Sequence, residues 1–436
     1  MKLDVVVVGG GATGLGVAVR LNLNACLFEK EASLGGCLRS DRIQGYTVDQ
    51  TGHLLHLQDP YVRQLMFDEL QIEWLHFVRR AEVHLLGRRI PYPIQYHLHA
   101  LPEPERDECL RSFLSTTGDI PSLTGSFDEW SRLSYGDALH SLFFEPYNRK
   151  LWQVNLASIT AEWADRFVPP PDRKLIVQGA VDDGASQRFG YNATFSYPRS
   201  GGSQSIVDGL AEMSRIPIDT EAELISVDTA ARVCEFSNGV RASYRMLVST
   251  LPLPALLRLL HPVDGKQLDR AAGLRHNRVA YFAFGFRTGG ASPAEHWVYV
   301  PEAQYCMYRV GILSNYSPNV APPGCILVCA EVALAGDAGQ ANMFALRERA
   351  RADLEAIGIV KSDWVLDFEH CGSIDCAYAI YDEHRRSVLP GIQEYLKSIG
   401  IVSVGRYGTW GYGSMGDALI EGRDCALMLH ECFDSN

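Results

Sequence analysis

The chain has 436 residues, 47% of them hydrophobic and 21% charged, with a formal net charge of −12. That length exceeds what one compact core organises and predicts two or three domains. The acidic balance excludes nucleic acid or an anionic membrane as the main partner, so an anionic ligand has to be gripped by a few locally gathered cations.

Eleven cysteines are scattered along the chain without a CxxC pair. No histidine cluster at zinc-finger spacing accompanies Cys325 and Cys329 or Cys371 and Cys376. No metal site is expected, and the thiols read as reduced residues of a cytoplasmic protein. The start, MKLDVVVVGGG, runs directly into a strand, with neither a signal peptide nor a long apolar run. An exported or membrane-anchored protein is therefore not expected.

Val5 to Val8 form an unbroken β-branched run, as in a strand covered on both faces. Gly9, Gly11 and Gly14 then spell GxGxxG, which gives a tight turn, close approach to a pyrophosphate and close helix packing. Ala12 and Thr13 open the following helix, whose free N–H groups and dipole suit that pyrophosphate. Glu29 falls at the end of the next strand, placed to accept from a ribose hydroxyl, with Lys30 beside it. Soon after, LGGCLRS supplies Gly35, Gly36, Cys37 and Leu38, and TGHLLH supplies Gly52 and His53. The second glycine pair resembles that of the FAD-binding flavoenzymes of the glutathione-reductase-like superfamily, which implies FAD rather than NAD.

Further along, residues 60–80 and 103–170 read as helical, and VPPPDRK (168–174) is the one proline-rich break. GGSQSIVDGLAEM reads as a loop into a helix, while AELISVD, with Val227, and RMLVSTLP read as strands. Residues 276–335 alternate as a sheet. IVSVGRYGTWGYGSMGDALIEG resembles the closing strand, glycine turn and helix of the same superfamily, in which Gly405, Gly413 and Met415 lie against the flavin. A GxSxG hydrolase elbow needs glycine where Tyr412 stands, so that chemistry is excluded.

The expected fold is α/β. A Rossmann-like FAD-binding domain is assembled from 1–60, 200–275 and 396–436. A helical domain (61–80, 103–175) is inserted, and an antiparallel sheet domain comprises 81–102, 176–199 and 276–395.

YCMYRVGILSNYSP sets Arg309 in a strand of small and apolar neighbours. A buried guanidinium requires an anion, either a carboxylate of the chain or a ligand. FFEPYNRKLWQVNLASITAEWADRF carries Tyr147, Trp152 and Arg166, and RRIPYPIQYHL carries Tyr92, Ile94 and Gln95. SNYSP adds Asn315, CAYAIYDEHRR adds Tyr378, and GRYGTWGY adds Arg406 and Tyr412. Together these segments resemble the UDP-galactopyranose mutases, and the eukaryotic branch more closely than the bacterial one.

The resemblance implies redox-neutral ring contraction of a nucleotide sugar, with N5 of reduced FAD as nucleophile on the anomeric carbon and NADPH or NADH as reductant. It implies Arg309 and Arg166 on the substrate diphosphate, with Tyr378 and Tyr412 beside them, and Gly52 and His53 at the flavin edge. Tyr92, Ile94 and Gln95 then face the nucleotide base, and Tyr147, Trp152, Asn315 and Arg406 complete the substrate site. Ile94 stands where an aromatic is usual, which predicts weaker stacking on the base. The competing readings are a flavin oxidase or desaturase of the amine oxidase and protoporphyrinogen oxidase type, and a Rab-escort type binding protein. The first has no need for converging arginines and tyrosines. The second would have lost the glycine fingerprint that this chain retains. Oligomeric state has no signature in the sequence.

Overall fold

A computed structural model of the chain describes residues 1–56, 59–117, 121–182, 189–190, 192–339 and 341–434. Part of the expected 176–199 segment, residues 183–188 and 191, lies outside these described residues.

Val5–Val8 is buried at all four positions and becomes the central strand of a five-stranded parallel sheet. Met246–Ser249 and Ala25–Phe28 flank it, and Ile401–Ser403 and Ile218–Asp219 form the edges. Such a sheet needs cover on both faces. The Ala12–Arg20 helix supplies part of it and packs in turn on the closing helix Met415–Asp434. The two helices approach closely because Gly16 and Gly422 face each other. A Cβ on Gly422 would lie 2.6 Å from the Thr13 carbonyl oxygen.

A four-stranded sheet, Arg241–Ser243, Val233–Phe236, Leu224–Asp228 and Leu260–His261, stands beside this unit. The third sheet has seven strands in the order 365–379, 276–287, 325–335, 309–312, 297–299, 81–85 and 88–91. It is antiparallel except where Trp297–Tyr299 pairs in parallel with Ala81–Leu85. Helices from Glu103 to Gly179 pack against it around Phe127, Trp130, Tyr135, Phe144, Trp152 and Trp163. Among the described residues no helix is long and apolar enough to cross a membrane.

One expected element is corrected. Residues 60–80 are helical only as far as Glu69, and Trp74–Val78 is a strand paired with Thr194–Pro198. Trp74, Phe77 and Val78 are aromatic or β-branched, and pairing to a second strand outweighs the leucine spacing that suggested a helix.

Candidate active site

The cavity that concerns function has a volume of about 220 Å³ and lies between the seven-stranded sheet, the helical layer and the segments 51–56 and 406–415. The Glu145–Trp152 helix forms one wall. Pro146 lies in its first turn, directly after the wider helical turns of His140–Phe144, and Gln153 ends it in the left-handed conformation (φ 59°). Tyr147, Asn148, Leu151 and Trp152 share the face that a helix repeats every three to four residues, and all four line the cavity. Asn148 and Leu151 were not foreseen. The Asn148 amide donates to the Phe144 carbonyl at 2.8 Å, and its Oδ1 is buried without a partner among the described residues.

The opposite wall comes from the sheet. Trp297 and Tyr299 leave one strand, and Tyr308 and Arg309 belong to its antiparallel neighbour, where Tyr299 lies opposite Arg309. Tyr147 touches Tyr299 edge-on at 5.5 Å, and Tyr92 lies 4.7 Å from Tyr299.

Arg309 finds an anion within the chain. The strand register sets it opposite Glu331, whose carboxylate accepts from Arg309 Nε at 3.0 Å and Nη2 at 2.9 Å. The Tyr308 hydroxyl donates to the same carboxylate at 2.5 Å. Glu331 is 2% exposed, so this is a charge pair held in the interior, while the Arg309 side chain keeps 25% exposure toward the cavity. Glu331 raises the Arg309 pKa against the effect of burial, so the guanidinium stays charged. Its Nη1 takes no hydrogen bond among the described residues. The signal for Glu331 was an acid inside CILVCAEVALA, an otherwise apolar run.

Arg406 is the second cation. Its guanidinium stacks 4.9 Å from the Tyr378 ring and 5.0 Å from the Tyr412 ring. Nη2 donates to the Ala377 carbonyl at 2.6 Å, and Nε is buried without a partner among the described residues. The hydroxyls of Tyr92, Tyr147, Tyr378 and Tyr412 take no hydrogen bond among the described residues, and all four tyrosines line the cavity. Burial pushes the Tyr92, Tyr147 and Tyr412 phenols above their ordinary range, which keeps them neutral donors.

His53 lines the cavity beside Gly52, but its ring is occupied by its own loop, with Nε2 3.1 Å from the Gln50 carbonyl oxygen. Burial and the nearby Arg406 and Arg309 push its pKa down to about 4. Gln95 is buried and lines the cavity, its amide donating to the Pro169 carbonyl at 3.3 Å.

Three expected residues do not line this cavity. Ile94 is fully buried in the helical core, because the turn Ile94–Tyr96 directs successive side chains to different sides. Asn315 is used by the fold: its amide donates to the Pro293 carbonyl at 2.8 Å and to that of Glu295. Arg166 is 44% exposed and ion-paired with Asp417 in the first turn of the closing helix. Asp417 also accepts from Ser414 N at 2.6 Å and Oγ at 2.7 Å, and Ser414 Oγ accepts from Asp417 N at 3.3 Å, a reciprocal cap.

The glycine fingerprint lies apart from the cavity. A Cβ on Gly14 would sit 1.9 Å from the Gly9 carbonyl oxygen, so only glycine lets the helix back onto the turn. Gly11 occupies the cap of the Ala12–Arg20 helix with no side chain over it, and the Gly11–Gly35 bridge brings Gly35 and Gly36 alongside. Glu29 is 7% exposed and accepts from Gly10 N at 2.7 Å and Glu31 N at 2.9 Å. Thr13 is buried behind Gly405, whose N–H donates to Glu421 at 2.7 Å. Lys30 is exposed, 3.4 Å from Glu31, and Cys37 Sγ lies 3.2 Å from the Tyr407 hydroxyl. Leu38 and Val227 are core residues, Val227 being paired on both sides within the four-stranded sheet. Gly413 and Met415 border the cavity.

Residues 7–70 match the model of the NAD(P)-binding Rossmann-like domain. A crystal structure of reduced UDP-galactopyranose mutase superposes with a TM-score of 0.91 at 28% identity, over 97% of this chain and 94% of that one. The chain resembles that mutase over nearly its whole length. Other similarities concern the fold alone. A protein from Exiguobacterium sp. 255-15, provisionally named a protoporphyrinogen oxidase, gives a TM-score of 0.75 at 18% identity over 98% of both chains. A redesigned putrescine oxidase gives 0.64 at 15% over 99% of both. The α/β architecture with a Rossmann-like nucleotide-binding unit is thus shared with that mutase.

Proposed function

We propose that the chain is a flavin-dependent nucleotide-sugar mutase, which interconverts the pyranose and furanose rings of a sugar such as galactose carried on UDP. The observation that carries this reading is one cavity in which the Arg309 and Arg406 guanidinium groups converge with tyrosine hydroxyls that have no partner among the described residues. Cations and neutral donors together are what a diphosphate requires, and an acidic chain gathers them nowhere by accident.

The residues fit FAD. The side-chain-free groove at Gly11, Gly35 and Gly36, the open cap of the Ala12–Arg20 helix and the buried acceptor Glu29 suit its pyrophosphate and ribose. Gly52, His53, Gly413 and Met415 would border its ring where the cavity opens. Reduced FAD would supply a nucleophilic nitrogen, and NADPH or NADH the electrons that reduce it.

The chain's own part is binding, orientation and exclusion of water. Arg309 and Arg406 stabilise charge on the departing diphosphate, and Tyr378 and Tyr412 donate to its oxygens. Gln95 presents a donor and an acceptor to the base, and Tyr92 covers it. Trp152, Tyr147 and Tyr299 close the cavity against water, which strengthens these interactions. Arg166 reaches the diphosphate only by leaving Asp417, so substrate competes with that ion pair. A cytoplasmic location suits the eleven cysteines, of which none is paired.

An amine oxidase reading is weaker, since two buried guanidinium groups repel a cationic amine. The test is to incubate reduced and oxidised holoenzyme with a panel of UDP, TDP and GDP sugars and to separate the products by chromatography. Furanose product from the reduced enzyme alone, with no reductant consumed, is expected. Equal turnover by both redox forms, or stoichiometric reductant consumption, refutes the proposal.

A further inference from the structure

Lys150 belongs to the cavity-wall helix but points away from the cavity, into the sheet. Its Nζ donates to the carbonyl oxygens of Val300 at 2.8 Å, Glu302 at 2.6 Å and Met307 at 3.1 Å. These three acceptors lie on the connection between Trp297–Tyr299 and Arg309–Ile312. Val300 and Met307 directly adjoin Tyr299 and Tyr308, and Val300 N donates to the Tyr308 carbonyl at 2.9 Å. An ammonium carries three N–H groups. All three are spent on one turn, on both of its arms.

We propose that Lys150 is a positioning residue that locks the Tyr147–Trp152 wall to the Tyr299–Arg309 wall, and so sets the width of the diphosphate-binding cavity. The proposal rests on the functional reading given above for what the cavity holds, but the lock itself is independent of it.

The geometry explains why a lysine is needed. Tyr147 lies one helical turn before Lys150 and meets Tyr299 at 5.5 Å and Tyr308 at 6.4 Å. Those ring contacts are non-directional and would let the two walls slide. Three hydrogen bonds from one charged group fix their separation and leave the turn's carbonyls satisfied in a buried setting. Arginine is a poor substitute, because its planar fork cannot reproduce a trigonal set of donors.

Other ionisable groups surround the lock. Burial pushes the Lys150 pKa down to about 8, while the Asp353 and Glu302 carboxylates oppose that effect. Cys306 is pushed up to about 12 and stays a thiol. Asp353 is shared with Arg349 and with Cys306 N, and Glu302 lies 3.8 Å from His84.

The test compares wild-type holoenzyme with Lys150→Met, using UDP titration and amide hydrogen exchange. Lys150→Met should bind UDP about tenfold more weakly, the effect of losing a charged hydrogen-bond donor. Peptides covering 297–312 should exchange faster in the variant while those covering 5–28 are unchanged. Lys150→Arg should restore neither wild-type UDP affinity nor the protection of 297–312, whereas a merely apolar packing role would be met by the long arginine stem. Unchanged exchange of 297–312, or unchanged UDP affinity in the variant, overturns the proposal. A wild-type protein that ignores UDP refutes the functional reading instead, and the exchange comparison still decides the lock. Should Lys150→Met fail to fold, Lys150→Arg decides: peptides covering 297–312 should exchange faster than in wild type while those covering 5–28 are unchanged, and unchanged exchange of 297–312 overturns the proposal.

Discussion

Removing Arg309 should damage the protein in two separable ways. Arg309→Ala strands Glu331, a carboxylate 2% exposed that would keep only the Tyr308 hydroxyl. Breaking one side of a buried pair costs about 3–5 kcal/mol. A quarter of the Arg309 side chain is exposed, so the lower end applies. About 3 kcal/mol is on the order of a 100-fold loss in the folding equilibrium constant. The same variant loses a charged donor to the diphosphate, worth about 1.5–3 kcal/mol in UDP affinity. The double variant Arg309→Met with Glu331→Met separates the effects, since apolar residues of similar volume are tolerated in place of a buried ion pair. It should regain stability to within about 1 kcal/mol of wild type while UDP binding stays weak. Urea unfolding followed by tryptophan fluorescence and UDP titration followed by flavin fluorescence read the two quantities. A single variant as stable as wild type would falsify the buried-pair account. A double variant with native UDP affinity would remove Arg309 from the ligand site.

Arg166→Ala should change stability by less than about 1 kcal/mol, because its pair with Asp417 is largely exposed. Its kcat/KM should nevertheless fall by at least about 2 kcal/mol of transition-state stabilisation, and native kcat/KM in a folded, yellow variant counts against a diphosphate contact. His53 is neutral from about pH 4 upward, so His53→Gln should leave the shape of the kcat/KM profile between pH 5 and 8 unchanged. A break near 6.5 that disappears in the variant refutes this. Gly14→Ala forces a Cβ against the Gly9 carbonyl and should purify without bound flavin, read from the visible absorbance. Gln95→Ala should reduce the preference for UDP over TDP and GDP, and a wild-type preference for TDP or GDP would remove uridine while leaving ring contraction standing.

The dinucleotide unit was legible because its constraints are local. A buried run, three glycines and an acid follow one another within the first thirty residues, and each has a backbone or packing reason that needs no distant partner. Arg309 was legible only as a question. Its strand announced burial, but Glu331 becomes its neighbour through the register of two antiparallel strands, which no local pattern fixes. Trp74–Val78 was misread for the same reason, since its pairing partner lies beyond Gly190.

The misplacement of Ile94 shows how finely this limit cuts, and it revises an inference about the nucleotide base. PYPIQY puts Tyr92, Ile94 and Gln95 within four residues, and resemblance to known mutases set all three on the base. The backbone turns at Ile94–Tyr96, so Tyr92 and Gln95 reach the cavity while Ile94 fills the core beside Tyr96 and Leu98. The absent aromatic at 94 is then no deficit in stacking, because the side chain there does not face the cavity. Enlarging it acts on the core instead: Ile94→Phe overpacks a fully buried position, which costs about 1–3 kcal/mol of stability. UDP affinity should stay within about twofold of wild type, a change below about 0.5 kcal/mol. Tighter UDP binding by Ile94→Phe at undiminished stability would return residue 94 to the base site and refute the turn geometry.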